Sequence, residues 1–501
     1  MRPESRAKDL PSASLPASLS VLALRFKIFY AKHIKAENML SEQIIKELQK
    51  ILGKDNVLTS KAERICYSYD ATQQSFLPEV VLQPGSTEEI ALVMKLANRE
   101  RIPVFPRGAG SGFTGGSLPT KGGIVLCTEQ MDQILEVDEE NLVATVEPGV
   151  VTERFQKAVE KVGLFYPPDP ASLKFSTLGG NVAECAGGPR CVKYGVTKDF
   201  IIGLEVVTPT GDIITTGGPT MKGVVGYDLT KLLCGSEGTL GIITRIIIKL
   251  LPLPEAKKTM LVLFDSIDGA AQAVSAITRN KIVPTTLEFM DGRTIECVRQ
   301  ATDLDLPETA QAVLIIEVDG DREFLDKQAN RIAEIIKPLG VVETRIATTP
   351  EESEALWQIR RSVSASLRKV NPDKFNEDIC VPRSKVPEMI RKVDAISDKY
   401  QIPIVNFGHA GDGNIHVNIM VNRKVSGDIM KAEGAIKDVF KAALELGGTM
   451  SGEHGVGIAK APYIPLEITP VAAEYMKAIK KALDPNNILN PGKIFLDSPE
   501  N

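Results

Sequence analysis

The chain reads as an α+β protein with more than one domain, and three observations lead there. Its 501 residues exceed the ~250 to 300 at which a single core stops growing. An early strand–helix–strand unit runs into a glycine-rich stretch and then into further strands. Two later stretches repeat one rhythm of strand, turn, amphipathic helix and strand, which suggests a sheet covered on one face by helices.

Composition narrows the function. Hydrophobic residues make up 43%, charged residues 25%, and the formal charge is -5, an ordinary globular balance with no basic excess to neutralise phosphates. Nucleic acid is not the expected partner. Seven cysteines without a CxxC pair support neither a disulfide framework nor a cysteine-ligated cluster, so a reduced, cytoplasmic setting is expected. Any membrane contact would then be peripheral, through a partner. Cys185 and Cys191 read as small buried hydrophobes.

Residues 1–38 stand apart, with "RPESRAKDLPSASLPASLS" and a short apolar run ahead of Arg25 and Lys27. No run reaches the ~20 residues of a membrane span, and Glu4 and Asp9 argue against a transit peptide. A disordered or non-native extension is expected there. From Met39 the folded body begins. Ser41 precedes helical spacing at Ile44, Ile45, Leu48, Ile51 and Leu52. "EVVLQP" is a strand, "STEEIALVMKLANRER" a helix opened by the capping box Ser86 to Glu89, and "IPVFPRG" a second strand. "QILEVDEENLVATV" reads as a hairpin and Thr152–Val162 as a helix. The run "FYPPDPASLKFSTLGGNVAECAGGPRCVKYG" shows almost no period, and a long irregular run in a compact domain is usually functional.

Strands return in "FIIGLEVVTPTGDIITTGG" and "TLGIITRIIIKLLP", and Pro252 and Pro254 mark a boundary. The expected domains are therefore 39–254 and 255–446. Residues 447–501 are too few to stand alone and are expected to dock back on the first domain.

"GSGFTG" matches GxGxxG by letter, but Pro119, Gly122 and Gly123 interrupt the segment after it, where a dinucleotide fingerprint needs a long helix. The loop keeps its physical sense regardless. Gly108, Gly110, Gly112, Gly115 and Gly116 let backbone N–H groups converge on an anion such as pyrophosphate.

"PVFPRGAGSGFTGG", "YPPDPASLKFSTLGGNVAECAGG", "YGVTKDFIIGLEVV" and "GSEGTLGIIT" together resemble the PCMH-type FAD-binding domain of the vanillyl-alcohol-oxidase superfamily. "GHAGDGNIH", "SGEHGVG" and "LDPNNILNPGKIF" are similar to the branch holding the glycolate oxidase flavin subunit, D-lactate dehydrogenase and D-2-hydroxyglutarate dehydrogenase. The resemblance covers residues 40 to 497. It implies an FAD between two α+β subdomains and an α+β substrate, or cap, domain with a largely antiparallel sheet. Pro106, Arg107, Gly108, Ala109, Gly110, Ser111, Gly112, Gly116 and Ser117 would wrap the pyrophosphate. Pro168, Asp169, Thr177, Gly180, Asn181 and Gly187 would line the ribityl chain and isoalloxazine, with Glu237, Gly241, Ile243 and Asn490 completing the bed. Some relatives attach flavin through a histidine in the glycine loop; this loop has none, so the FAD is expected to be noncovalent.

Three of the four histidines lie within the last hundred residues, beside glycines and acids. His416 and Asn418 alternate in "NIHVNIMV", so a strand would turn both to one face, and the turn "GHAGDGN" would return His409 beside His416. An isolated strand histidine is ordinarily a satisfied core residue. Two flanking one turn, with Glu453 and His454 later in the chain, read as a site for a divalent metal such as Zn, Mn or Fe. The resemblance assigns His409, His416 and Glu453 to the metal, His454 to proton removal, and Arg360 and Asn418 to the substrate. Lysine is common in the 2-hydroxyglutarate branch where this chain has Asn376, though Lys374 is close by.

The implied activity is oxidation of a small 2-hydroxy acid, glycolate or D-lactate, with hydride transfer to flavin N5. D-2-hydroxyglutarate is the alternative substrate, and an electron-transfer subunit with a vestigial site or a flavin-free metal hydrolase are the alternative classes. Reoxidation would fall to an iron–sulfur subunit, an electron-transfer flavoprotein or a quinone-linked acceptor.

Overall fold

Ser41 caps the first helix, α1 (Glu42–Leu52), its hydroxyl accepting from Ile44 N at 3.3 Å, and Leu48 and Leu52 are buried against the body. The computed structural model describes residues 40–301 and 306–496, so the extension expected over 1–38 lies outside the described residues. Next come β1 (Val57–Leu58), α2 (Lys61–Cys66), β2 (Val80–Leu82), α3 (Thr87–Glu100), β3 (Val104–Arg107) and β4 (Ile124–Cys127). Their sheet has the order β1-β2-β4-β3, with β2 and β3 both parallel to β4. Ser86 caps α3 through Glu89 N at 3.2 Å, but the Glu89 carboxylate reaches past it to Gly85 N at 2.7 Å, so the expected capping box is displaced by one residue.

A second sheet holds β5 (Ile134–Asp138), β6 (Val143–Val146), β8 (Ile201–Val207), β9 (Ile213–Gly217) and β10 (Ile242–Lys249), antiparallel in the order β5-β6-β10-β8-β9. Between β6 and β8 lie α4 (Thr152–Glu160), the short β7 (Leu164–Phe165), α5 (Leu178–Glu184) and α6 (Cys191–Tyr194). The run expected to be irregular thus contains two helices. Sequence period missed α5 because Gly179 and Gly180 sit inside its seven residues. Gly179 is there for close approach, since a Cβ would lie 2.5 Å from Pro148 Cβ. Helix α7 (Leu229–Leu233) joins β9 to β10, and β11 (Leu251–Pro252) pairs with β7.

The rest builds a seven-stranded antiparallel sheet from β12 (Ala256–Phe264), β13 (Thr286–Asp291), β14 (Ala312–Gly320), β15 (Val341–Ile346), β16 (Asp373–Cys380), β17 (Ile404–His409) and β18 (Asn414–Val421). Its order is β15-β12-β14-β13-β17-β18-β16. Helices α8 (Ile267–Arg279), α9 (Gly292–Ala301), α10 (Arg322–Ile336), α11 (Pro350–Ser366), α12 (Val386–Tyr400) and α13 (Asp428–Glu445) accompany it. The expectation of helices on one face needs correction. Ile404, Val417 and Ile419 share a core with residues of α8, α10, α12 and α13, whereas Val405, Phe407 and Met420 share another with Ile359 and Val363 of α11 and Val298 of α9. Strand β18 is buried along its whole length, as it must be with both faces covered.

Past Gly447 the chain is mostly loop, with α14 (Ile464–Glu467) and α15 (Pro470–Leu483). It then returns to the first sheet. Val104 N donates to Ile488 O at 2.8 Å and Asn490 N to Val104 O at 2.7 Å, so the late stretch runs parallel along the edge of β3.

Candidate active site

The glycine loop leaves the end of β3 at Pro106 and Arg107. Residues 108–113 are half-buried, one side on the protein and one side open. Arg107 folds under the loop, its guanidinium beneath Gly110 at φ 65° and its Nη1 3.4 Å from Ser117 Oγ. A Cβ on Gly108 would collide with Thr177 Oγ1, and that buried hydroxyl has no hydrogen-bond partner among the described residues. An open glycine bend with Ala109, Ser111 and Gly112 at its crest, beside an unsatisfied buried hydroxyl, fits an anionic cofactor.

The other bed residues divide. Pro168 O accepts from Gln156 Nε2 at 2.8 Å, and Asp169 is held by Arg190, backbone N at 3.2 Å and Nε at 3.3 Å. Gly180 continues α5 within reach of Thr177. Asn181, however, turns inward to Thr152 Oγ1 at 2.7 Å. Gly241 and Ile243 also serve packing: a Cβ on Gly241 would strike Val206, and Ile243 lies in the core of the second sheet. Asn490 ties two carbonyls together, Gly116 O at 2.9 Å and Glu237 O at 2.7 Å. Lys493 lies beneath the loop on Gly115 O at 2.8 Å and Leu118 O at 2.6 Å, a residue the sequence reading passed over.

On the seven-stranded sheet, the register sets the second half of the site. Facing pairs share one side of an antiparallel sheet, and His416 faces Phe407 on β17 and Asp378 on β16, while Asn418 faces Val405 and Asn376. The turn after His409 brings its Nε2 to 3.3 Å from His416 Nε2. Glu453 Oε1 lies 3.4 Å from each. For bonds of about 2.0–2.1 Å, tetrahedral ligand atoms are about 3.3–3.4 Å apart, so three N and O donors at this spacing fit one cation. All three residues are largely buried. Burial opposes charge on His409, but the Glu288 and Glu453 carboxylates outweigh it and hold its pKa well above the ordinary value. Burial and the positive charge on His409 hold His416 well below.

Two carboxylates behind this trio escaped sequence reasoning. Glu288, fully buried on β13, meets His409 Nδ1 at 2.5 Å through one oxygen and Arg360 Nε at 2.7 Å through the other. Burial raises its pKa, but His409 and Arg360 together bring it below the usual carboxylate value. Arg360 stacks over the Phe407 ring at 4.6 Å and makes no hydrogen bond through its η nitrogens among the described residues, leaving a guanidinium edge for a carboxylate. Asn418 Oδ1 is likewise buried without a partner among the described residues. Asp378 anchors the loop carrying Glu453 and His454, accepting from both backbone N–H groups at 2.6 and 3.0 Å. The only sequence signals were acids inside apolar strands, "TLEFM" and "NEDIC".

The two halves meet. A Cβ on Gly187 would collide with the Glu453 carboxylate, the Phe113 ring of the glycine loop lies 5.1 Å from the His454 ring, and Thr114 Oγ1 donates to His454 O at 3.1 Å. Glu237 accepts from Val456 N and Gly457 N, both at 2.7 Å. The glycine cradle and the loop that carries Glu453 and His454 are therefore in direct contact.

A cradle for an anionic cofactor thus faces a buried N,N,O trio and a free arginine edge, the layout of a cofactor-dependent enzyme. Residues 78–217 match the FAD binding domain family and residues 253–494 match the family of FAD linked oxidases, C-terminal domain. The chain belongs to the FAD-linked oxidases. It is 48% identical to glycolate oxidase subunit GlcD of Bacillus subtilis (strain 168), over 91% of this chain and 97% of that one. It is 35% identical to D-lactate dehydrogenase of Anaerostipes hadrus over 91% of this chain and 98% of that one. Among solved structures, p-cresol methylhydroxylase with substrate bound shares the fold at TM-score 0.74 and 19% identity, covering 92% of this chain and 98% of that one. No helix among the described residues is long and apolar enough to cross a membrane.

Proposed function

We propose that this FAD-linked enzyme oxidises a small 2-hydroxy acid, glycolate or D-lactate, to the 2-oxo acid, with a divalent cation held by His409, His416 and Glu453. The observation that carries the reading is the contact between the two halves, in which Gly187 and Phe113 of the cradle lie against Glu453 and His454. The names of its relatives point to the same substrates. The domains divide the labour: residues 40–254 hold the cofactor, 255–446 carry the substrate sheet, and the stretch from 447 closes over both.

FAD, when bound, supplies the two-electron acceptor, and a cation in the trio supplies Lewis acidity that makes the substrate hydroxyl more acidic. The chain's own residues do the rest. Arg360 receives the carboxylate on its free guanidinium edge, with its far side fixed by Glu288. Asn418 offers its unsatisfied Oδ1 to the same substrate. His454, with Nδ1 3.4 Å from Asp378 and Nε2 3.9 Å from Glu453, takes the hydroxyl proton. Phe113 and Gly187 close the space around the reacting carbon and exclude water. Electrons then pass to an iron–sulfur subunit, an electron-transfer flavoprotein or a quinone-linked acceptor, since the sequence has no CxxC spacing of the kind that ligates a cluster.

A second substrate is favoured by one contact. Lys374 faces Met420 in the row beyond Asn376, and its Nζ lies 3.1 Å from Ser364 Oγ, one helical turn past Arg360. A cation there suits an acid with a second carboxylate, as in D-2-hydroxyglutarate.

The test is anaerobic flavin bleaching by paired D- and L-2-hydroxy acids and glycolate, before and after chelation. Bleaching by D-lactate or glycolate, lost on chelation and restored by Zn2+ or Mn2+, is expected. Bleaching by L acids alone, or bleaching indifferent to chelation, would sink the reading. If D-2-hydroxyglutarate is the better substrate, Lys374→Met should slow it and leave D-lactate unchanged.

A further inference from the structure

Glu453 and His454 lie on the loop Ser451–Gly457, which has no helix or strand hydrogen bonding to fix its shape. Four of its backbone N–H groups instead end on two buried carboxylates, one from each domain, and a fifth, Gly452 N, is shared between the Asp378 carboxylate and the Asp378 backbone carbonyl at 2.9 Å. Asp378 Oδ2 accepts from Gly452 N at 3.0 Å, Glu453 N at 2.6 Å and His454 N at 3.0 Å. Glu237 takes Val456 N and Gly457 N. The other oxygen of Asp378 meets Lys460 Nζ, with Ser451 Oγ and His454 Nδ1 each at 3.4 Å.

Asp378 faces His416 across β16 and β18, so one side chain ties the loop to the strand that carries a histidine of the trio. Three N–H groups converging on one oxygen leave successive peptide planes little freedom, and two of the three belong to the functional residues themselves. Neutralising Lys460 would need only an ion pair. The fan is additional to it.

We propose that Asp378 is the positioning residue of this site, aiming Glu453 at the two histidines and His454 into the cavity through the backbone of their loop. This rests on the functional reading above for what Glu453 and His454 do. An ion-pair role and a positioning role make different demands. Asp378→Glu keeps the charge beside Lys460 but moves the accepting oxygen by one methylene, and Asp378→Asn with Lys460→Met removes the ion pair as a unit.

The FAD-loaded full chain and both variants are compared for thermal midpoint, flavin content, Zn2+ affinity, and kcat and KM with D-lactate or glycolate and an artificial acceptor. We expect both variants to keep flavin, because its cradle lies in the other sheets. Zn2+ affinity and kcat should each fall about 10- to 100-fold, the usual effect of losing a residue that orients a ligand, while KM stays within about threefold because Arg360 is on another element. Parental kcat and Zn2+ affinity in either folded variant overturn the assignment. So does a neutral double variant that cannot fold while Asp378→Glu is fully active. Failure of the parent alone to bind Zn2+ or bleach with any 2-hydroxy acid instead overturns the functional reading.

Discussion

His454 and Arg360 are assigned different tasks, and substitution separates them. His454→Ala should keep flavin yet lose about 10²- to 10⁴-fold in the rate of flavin reduction, the range for a missing general base. Stopped-flow bleaching checks it, and full-rate reduction would remove His454 from the chemistry. Arg360→Lys cannot keep both Glu288 and a bidentate hold on the substrate. It should cost about 1.5–3 kcal/mol, or about 10- to 150-fold in kcat/KM, mostly through KM. A variant with unchanged KM would place the carboxylate elsewhere. The trio and His454 stood out in sequence because histidine is scarce and the motifs are specific, whereas Arg360 was marked by the family resemblance alone. Glu288 did not, since His409 lies 121 residues further along and only the pairing of β13 with β17 brings them together.

At the scale of elements, the bend after β3 depends on missing side chains. Gly108→Ala places a methyl against Thr177 Oγ1, an overpacking that costs about 1–3 kcal/mol, so FAD should bind roughly 5- to 150-fold more weakly. Fluorescence titration of the apoprotein would show it, and parental affinity would mean that the bend is not part of the cradle. Strands such as β10 and helices such as α3 were legible because their apolar spacing matches their periods. Helix α5 was not, because seven residues with two glycines leave no period to read and its packing against Pro148 supplies the specification. The two-sided cover of the large sheet was misread for a related reason: repeated strand–helix–strand units show that helices exist, not on which face each one lands.

For the molecule as a whole, one buried acid gives stability a pH slope. Glu377, on β16, is buried, and burial pushes its pKa from 4.5 up to about 7. A carboxyl raised in the folded state holds its proton there and releases it on unfolding. Stability should therefore fall as pH rises from about 4.5 to about 7, with the full penalty above that. At about 1.4 kcal/mol per pKa unit the penalty has an upper bound of roughly 3.5 kcal/mol. Glu377→Gln should abolish this component, so the two proteins should melt alike near pH 4 and the variant higher at pH 8. A variant less stable at pH 8 would show the carboxylate to be paired.

The return of residues 488–493 to β3 has a consequence for how the enzyme is born. The glycine loop is made by residue 118, yet Gly115, Gly116 and Leu118 meet Asn490 and Lys493 only once the chain has grown to those residues. On this packing, cofactor capture should wait for that stretch. A nascent chain stalled before Asp484 should emerge with its sheets formed but unable to hold the vitamin-derived yellow colour that marks the finished protein.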